Sequence, residues 1–110
     1  MQEFGGIGGI RNENLLESAI ASPFQTFSSK EFYPTIEEKA ARLEYGLVSN
    51  HCFFDGNKRI GAHAMLVFLV LNDIQLDFTQ EELIRIFLDF ASSNFDYSTL
   101  LVWIRSHERK

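Results

Sequence analysis

The chain has little of several features that define common protein classes. It contains one cysteine and two prolines in 110 residues, and its formal net charge is -5. A single cysteine permits no internal disulfide. The negative charge argues against a protein that coats nucleic acid, because such binding depends on neutralising phosphates with Lys and Arg. We find no signal peptide and no run of about eighteen uncharged apolar residues, so a cytoplasmic protein without membrane contact is expected.

Hydrophobic residues, by contrast, make up 45% of the chain and include eleven Phe. This composition suits one domain over residues 1–110, which is too short for two cores. Apolar residues recur at helical spacing, and capping-box pairs mark several helix starts. The predicted helices run from Asn14 to Pro23, Thr35 to Asn50, Asn57 to Leu71, from Thr79 onward, and from Ser98 to Ser106. The helix that starts at Thr79 has Leu83, Ile86, Phe87 and Phe90 on one side.

The helix predicted from Asn57 is apolar on every side from Ala64 onward, as is typical of the central helix of a small bundle. Residues 24–34 instead alternate aromatic and polar side chains around Ser28, which favours a small β-hairpin. An ordinary hydrophobic loop is the alternative there. The polar end from His107 to Lys110 is predicted to be a solvated tail. The expected fold is therefore an all-α bundle with a central apolar helix and a hairpin flap.

Residues 51 to 59 read His-Cys-Phe-Phe-Asp-Gly-Asn-Lys-Arg and lie just ahead of that central helix. His51 is a candidate general base, because an unperturbed imidazole accepts a proton near neutral pH. Asp55 offers a hard oxygen ligand of the kind that Mg²⁺ takes alongside water and nucleotide phosphates. Phe53, between these polar groups, is predicted to anchor the loop in the core.

The second half of this stretch carries groups that bind phosphate. Gly56 allows backbone N–H groups to converge on an anion where a helix begins. Asn57 is predicted to cap that helix while contacting a phosphate oxygen. Lys58 and Arg59 add full charges. Each residue alone would suit a polar turn between helices, but their combination within nine positions favours a phosphate-transfer site.

At these residues the chain resembles the Fic/Doc (death-on-curing) superfamily, whose signature reads His-Pro-Phe-x-(Asp/Glu)-Gly-Asn-(Gly/Lys)-Arg. The lysine variant is that of the Doc branch. The resemblance covers nearly the whole chain and also includes Gly5 to Arg11, Leu15 to Ala19, Phe32 to Thr35 and Phe68 to Asn72. It implies that Mg²⁺ and ATP serve as cofactor and co-substrate. It also implies that the hairpin docks the target polypeptide through Phe27, Ser28, Ser29 and Lys30.

Doc-like proteins are usually toxins that act on translation machinery and are neutralised by an antitoxin. The resemblance therefore implies transfer of a γ-phosphate to a hydroxyl of a target protein such as a translation factor. Fic-type transfer of AMP is the alternative. It is disfavoured by Lys58, where adenylylating relatives carry glycine, and by Ala62, where they carry a second arginine. Cys52 replaces the proline of the signature but removes no catalytic group.

Doc-like chains begin with a helix of about twenty residues ahead of the Gly-Gly segment, whereas only Met1 to Phe4 precede it here. Absence of that helix would uncover apolar surface that soluble monomers rarely expose. A second copy, an antitoxin or a longer natural chain would each cover this surface, so a homo-oligomer is left open. A binding module that keeps the motif without turnover is a further alternative.

Overall fold

The structure, a computed structural model, describes residues 10–50, 52–53, 56–91 and 96–109, with residues 87–91 described by their backbone only. These ranges contain five α-helices and one antiparallel two-stranded sheet, in the order α1 (Glu13–Ala21), a 3-10 helix (Ser22–Phe24), β1 (Thr26–Phe27), β2 (Lys30–Glu31), α2 (Ile36–Ser49), α3 (Asn57–Leu71), α4 (Gln80–Ala91) and α5 (Tyr97–Ser106). The predicted helical bundle with a small hairpin is confirmed. Within the described ranges, no helix is both long and apolar enough to cross a bilayer.

Two of the predicted capping boxes form. The Thr35 hydroxyl accepts a hydrogen bond from the N–H of Glu38, and the Glu38 carboxylate accepts one from the N–H of Thr35. Thr79 and Glu82 repeat this exchange at the start of α4. Each box satisfies two N–H groups that a helix start would otherwise leave without a partner. These helices therefore begin where their sequences predict.

The predicted start of the first helix at Asn14 is wrong by two residues. Asn12 is the N-cap of α1, and its side chain accepts a hydrogen bond of 3.0 Å from the N–H of Leu15. Asn12 has the extended backbone (φ -152°) that a cap requires. Asn14 consequently lies inside the first turn. The helix ends at Ala21, where the 3-10 helix containing Pro23 takes over.

The core lies mainly where α2 packs against α3 and α5. Its buried members are Ala40, Ala41, Ala62, Met65, Leu69, Ile86, Leu100 and Ile104. α2 and α3 approach closely at Gly61, where an added β-carbon would lie only 3.0 Å from Val48 Cγ2. Ile86 of α4 is buried and Leu83 packs against the core as predicted. The side chains of Phe87 and Phe90 lie outside the described part of the chain.

The C-terminal residues pack against the domain instead of forming a solvated tail. The ring of His107 stacks on Trp103 with centroids 4.5 Å apart, and its Nε2 lies 2.9 Å from Glu82 Oε2. Arg109 Nη2 lies 2.7 Å from Asp77 Oδ1. The prediction of a solvated tail is therefore wrong over its described part, because acidic groups 25 and 32 residues away in sequence bind these side chains.

Candidate functional site

The candidate motif occupies the connection between α2 and α3. α2 ends at Ser49 with Asn50 as its C-cap, and α3 begins at Asn57. The motif therefore joins the two helices that form most of the core. His51 and Asp55, the candidate base and metal ligand, lie outside the described residues, so their roles stay predictions. Within the described ranges, no group of three or more His, Cys, Asp or Glu side chains could hold a metal ion.

The start of α3 has the backbone geometry that the sequence predicts for an anion site. Gly56 is the N-cap, with a left-handed backbone (φ 75°, ψ 18°) that side chains with a β-carbon disfavour. Its carbonyl accepts the first helical hydrogen bond, 2.8 Å from the N–H of Ile60. By helix geometry, the N–H groups of residues 57–59 have no partner within the helix and lie at its positive dipole end. Such a helix start favours a bound anion.

Asn57 does not cap α3, and that prediction is wrong. With Gly56 as the cap, Asn57 is already the first helical residue. Its side chain reaches back across the loop instead: Oδ1 accepts from the N–H of Phe53 at 2.9 Å, and Nδ2 donates to the Phe53 carbonyl at 2.8 Å. This pair of bonds holds the loop against the helix start. The amide has a second N–H on Nδ2 with which it could still donate to a phosphate oxygen.

Lys58 and Arg59 are exposed on the first turn of α3, and that turn contains no acidic residue. The structure therefore brings together the two cations, the helix N-terminus and the left-handed glycine. An exposed ammonium and an exposed guanidinium on one helical turn can both reach a polyphosphate placed at the helix start. Their role in binding phosphate remains a prediction.

The described part of the loop is packed against the domain. Phe53 is half-buried and packs against the buried residues Ala19, Leu47 and Cys52. The Cys52 carbonyl accepts a hydrogen bond of 2.7 Å from the N–H of Arg11. Burial raises the pKa of the Cys52 thiol, so this thiol stays protonated and is a poor nucleophile. Chemistry at this loop would consequently use other groups.

The predicted hairpin forms, with Phe27 opposite Lys30 and a two-residue turn at Ser28 and Ser29. Both serines have positive φ angles, 52° and 67°, as tight hairpin turns require. The hairpin is anchored on Lys39, near the start of α2. That anchor is ten residues, or about 15 Å at the rise of an α-helix, from the end of α2, after which the motif begins. The hairpin's docking role stays a prediction.

Sequence reasoning missed two side chains that organise this region. Lys39 is buried and binds the hairpin; its helical spacing from Ile36 and Leu43 places it on the apolar side of α2, but nothing in this spacing reveals that the hairpin covers it. The Asn50 side chain donates to the Leu15 carbonyl at 3.1 Å and so ties the end of α2 to α1. No local signal could reveal this contact, because its partners are 35 residues apart in sequence.

Comparison with known proteins shows the family of the chain. The sequence model of the Fic/DOC family matches residues 1–69. The chain is 41% identical over 73 residues to "Toxin Doc" of Mycolicibacterium smegmatis (strain ATCC 700084 / mc(2)155), an alignment that covers 66% of this chain. The same alignment spans just over half, 56%, of that relative. No solved structure matches the chain. Because the family model covers more than half of its length, this chain belongs to the Fic/DOC family.

Proposed function

We propose that this protein is a Doc-like toxin of a toxin–antitoxin pair that transfers the γ-phosphate of a nucleoside triphosphate to a hydroxyl side chain of a target protein. A translation factor is the expected target, and an antitoxin chain is the expected partner. Family membership and the similarity to a protein named Toxin Doc support this proposal. The observation that carries it is the start of α3, where left-handed Gly56 precedes the exposed cations Lys58 and Arg59.

The described residues fit a polyphosphate ligand. An anion at the start of α3 would meet backbone N–H groups, the positive end of the helix dipole and two cations, with no acidic side chain on the same turn. Asp55 is the residue proposed to hold Mg²⁺, which when bound would neutralise charge on the phosphates. Lys58 and Arg59 would then orient the terminal phosphate toward the acceptor. Phosphoryl transfer depends mainly on such positioning and charge neutralisation.

His51 is proposed as the general base. In the sequence it directly follows Asn50, the C-cap of α2. A neutral imidazole there would accept the proton of a Ser, Thr or Tyr hydroxyl as that oxygen attacks the γ-phosphorus, the bond to the β-phosphate oxygen breaks and the nucleoside diphosphate leaves. The bonds between Asn57 and Phe53 would contribute by fixing the loop in which this base lies. Loss of the imidazole should therefore abolish transfer without loss of the fold.

Two residues favour γ-phosphate transfer over AMP transfer. Lys58 occupies the first turn of α3, where AMP-transferring relatives have glycine, so its side chain would crowd the place of the α-phosphate. Ala62, at the place of their second arginine, is only 2% exposed and belongs to the core. An arginine side chain at this position would have to displace buried neighbours. The described structure therefore offers no cation there for a second phosphate contact.

Labelled nucleotide tests the proposal directly. The purified protein would be incubated with Mg²⁺, a bacterial lysate and ATP labelled at either the α or the γ position. Label transferred to protein from the γ position alone supports the proposal, and label from the α position alone indicates an AMP transferase. No transfer from either position indicates a binding module. His51→Ala should remove the signal, whereas His63→Ala, a matched change at an exposed position of α3, should retain it.

Growth provides a second test of the toxin assignment. Induced expression should arrest bacterial growth, and the arrest should disappear with His51→Ala at equal protein level. Growth that continues unaffected in cells that make the wild-type protein would count against a toxin. The His63→Ala variant again serves as the matched control, because it removes an imidazole outside the candidate motif.

A further inference from the structure

Outside the motif, some charged side chains of the described residues are buried and have no role in the proposed reaction. Lys39, near the start of α2, is one of them. We propose that Lys39 is a positioning residue that holds the β1–β2 hairpin on α2 in the orientation needed to dock the target polypeptide. This inference rests on the proposed function and on the predicted role of the hairpin in docking the protein that receives the phosphate.

The ammonium group of Lys39 is buried between the hairpin and α2. The residue is only 7% exposed. Its Nζ donates to the carboxylate of Glu31, in β2, and to the backbone carbonyl of Tyr33, just beyond it. A buried lysine is rare unless its charge is paired and its N–H groups find acceptors. Here both acceptors belong to the segment that follows the hairpin turn, so this ammonium links the segment directly to the first turns of α2.

Among the described residues, the other hydrogen bond at the base of the hairpin runs from the N–H of Phe32 to the Gln25 carbonyl at 3.1 Å. Each strand is two residues long, and all four strand residues are exposed. Isolated two-stranded hairpins are marginally stable in water, and this one buries no strand residue in the core. Its turn adds strain, because Ser28 and Ser29 both have positive φ angles that non-glycine residues rarely adopt. The position of the hairpin therefore depends on contacts at its base.

Lys39 connects the hairpin to a part of the molecule that is itself fixed. The ring of Tyr33 packs edge-to-face against Tyr97 of α5, with centroids 5.5 Å apart. The carbonyl of Tyr33 is thus held close to the core, and Lys39 bridges from it to the carboxylate of Glu31. Without the ammonium, Glu31 would lose this partner. The covalent backbone would then be the main connection between β2 and the rest of the described domain. The hairpin would then sample several orientations.

The hairpin's orientation matters for docking because of what it exposes. The Phe27 side chain is 71% exposed next to the turn, and Phe32 is 55% exposed at the other end. Exposed aromatic residues of this kind are typical anchors for a partner polypeptide. The candidate nucleotide residues lie at the start of α3, which follows the end of α2 farther from Lys39. A disturbed hairpin should therefore weaken binding of the protein target while nucleotide binding persists.

The test compares Lys39→Met with Lys39→Arg and Glu31→Gln. Initial rates of γ-phosphate transfer would be measured against dilutions of a bacterial lysate at fixed ATP, and against ATP at fixed lysate. Lys39→Met should raise the apparent KM for lysate protein by about tenfold, the effect of roughly one charged hydrogen bond, and change the KM for ATP less than about twofold. Lys39→Arg, which can still donate to both acceptors, should recover most of the loss. Glu31→Gln in the Lys39→Met background should add little, because the two changes break the same contact.

Amide hydrogen exchange gives a readout that does not depend on activity. In Lys39→Met, exchange should become faster over residues 25–33 and stay unchanged in α3 and α5. Equal shifts of both KM values, or unchanged KM values in every variant, would overturn the inference. So would unchanged exchange in the hairpin. If the wild-type protein transfers no label, the proposed function fails; the exchange measurement then still decides whether Lys39 holds the hairpin in place.

Discussion

The sharpest test of the packing concerns Glu44, a carboxylic acid in the middle of α2. The residue is 0% exposed, and neither of its carboxyl oxygens has a hydrogen-bond partner among the described residues. Burial raises the pKa of Glu44 well above its usual 4.5. The folded protein therefore keeps this acid neutral under conditions in which the unfolded chain ionises it. Glu44→Gln removes the ionisation with little change of shape, and Glu44→Leu also removes the unpaired polar atoms.

The size of the effect follows from proton linkage. Above pH 4.5 the unfolded chain releases the Glu44 proton while the folded protein retains it. The free energy of unfolding of the wild type should consequently fall as the pH rises from there toward the raised pKa, by up to about 1.4 kcal/mol per pH unit. Glu44→Gln should lack this decline. Glu44→Leu should be more stable than Glu44→Gln by about 1–3 kcal/mol, the usual penalty for a buried polar group without a partner.

Urea denaturation followed by the fluorescence of Trp103, the single tryptophan, measures these free energies. Wild type and Glu44→Gln should agree within error near about pH 4.5 and diverge toward about pH 8, with the glutamine variant the more stable. Parallel pH profiles for the two proteins would refute the reasoning, since they would mean that Glu44 ionises equally in both states. A far-ultraviolet circular dichroism signal should confirm that the variants retain their helices.

Three further outcomes are expected. Gly61→Ala should destabilise the fold by about 1–3 kcal/mol, because its β-carbon would lie 3.0 Å from Val48 Cγ2; an unchanged urea midpoint would show that the two helices separate easily. Burial by itself would lower the pKa of His107. The hydrogen bonds of His107 to a backbone carbonyl and to Glu82 have the larger combined effect, so the pKa is raised. The imidazolium should therefore add stability below about pH 6.5, and this stability should be lost as the pH rises through the raised pKa. Urea titrations of a His107→Gln variant should not show this loss. A loss of equal size in the variant would mean that another group causes it. Asn57→Ala should reduce phosphate transfer at least tenfold and speed amide exchange around residue 53, since both bonds across the loop disappear; unaltered transfer would show that the loop holds its shape without them.

Short-range patterns account for the parts of the fold that could be predicted. A capping box uses only residues three apart, so the starts of α2 and α4 follow from Thr35 and Thr79 with their glutamates. The hairpin follows from its alternation of aromatic and polar side chains. The Gly56 turn likewise requires no distant partner. The local identity of the candidate site could therefore be read in the chain before its fold was known.

Other features required contacts between distant parts of the chain. The Asn57 amide binds the loop instead of capping the helix because the fold places the Phe53 backbone within its reach. His107 packs against the domain because α4 brings Glu82 to it across 25 residues of sequence. Such partners leave no periodic pattern, since many side chains could meet once the helices pack.

The sequence by itself determined where α2 and α4 begin and which nine residues are the candidates for phosphate chemistry, because those properties depend on neighbours along the chain. Tertiary structure alone decided that Lys39 is buried beside the hairpin and that Glu44 is enclosed without a hydrogen-bond partner among the described residues. The sequence shows both as ordinary charged residues of an amphipathic helix. Their environment is set by the surfaces that pack against α2, and these surfaces come from residues far away in sequence.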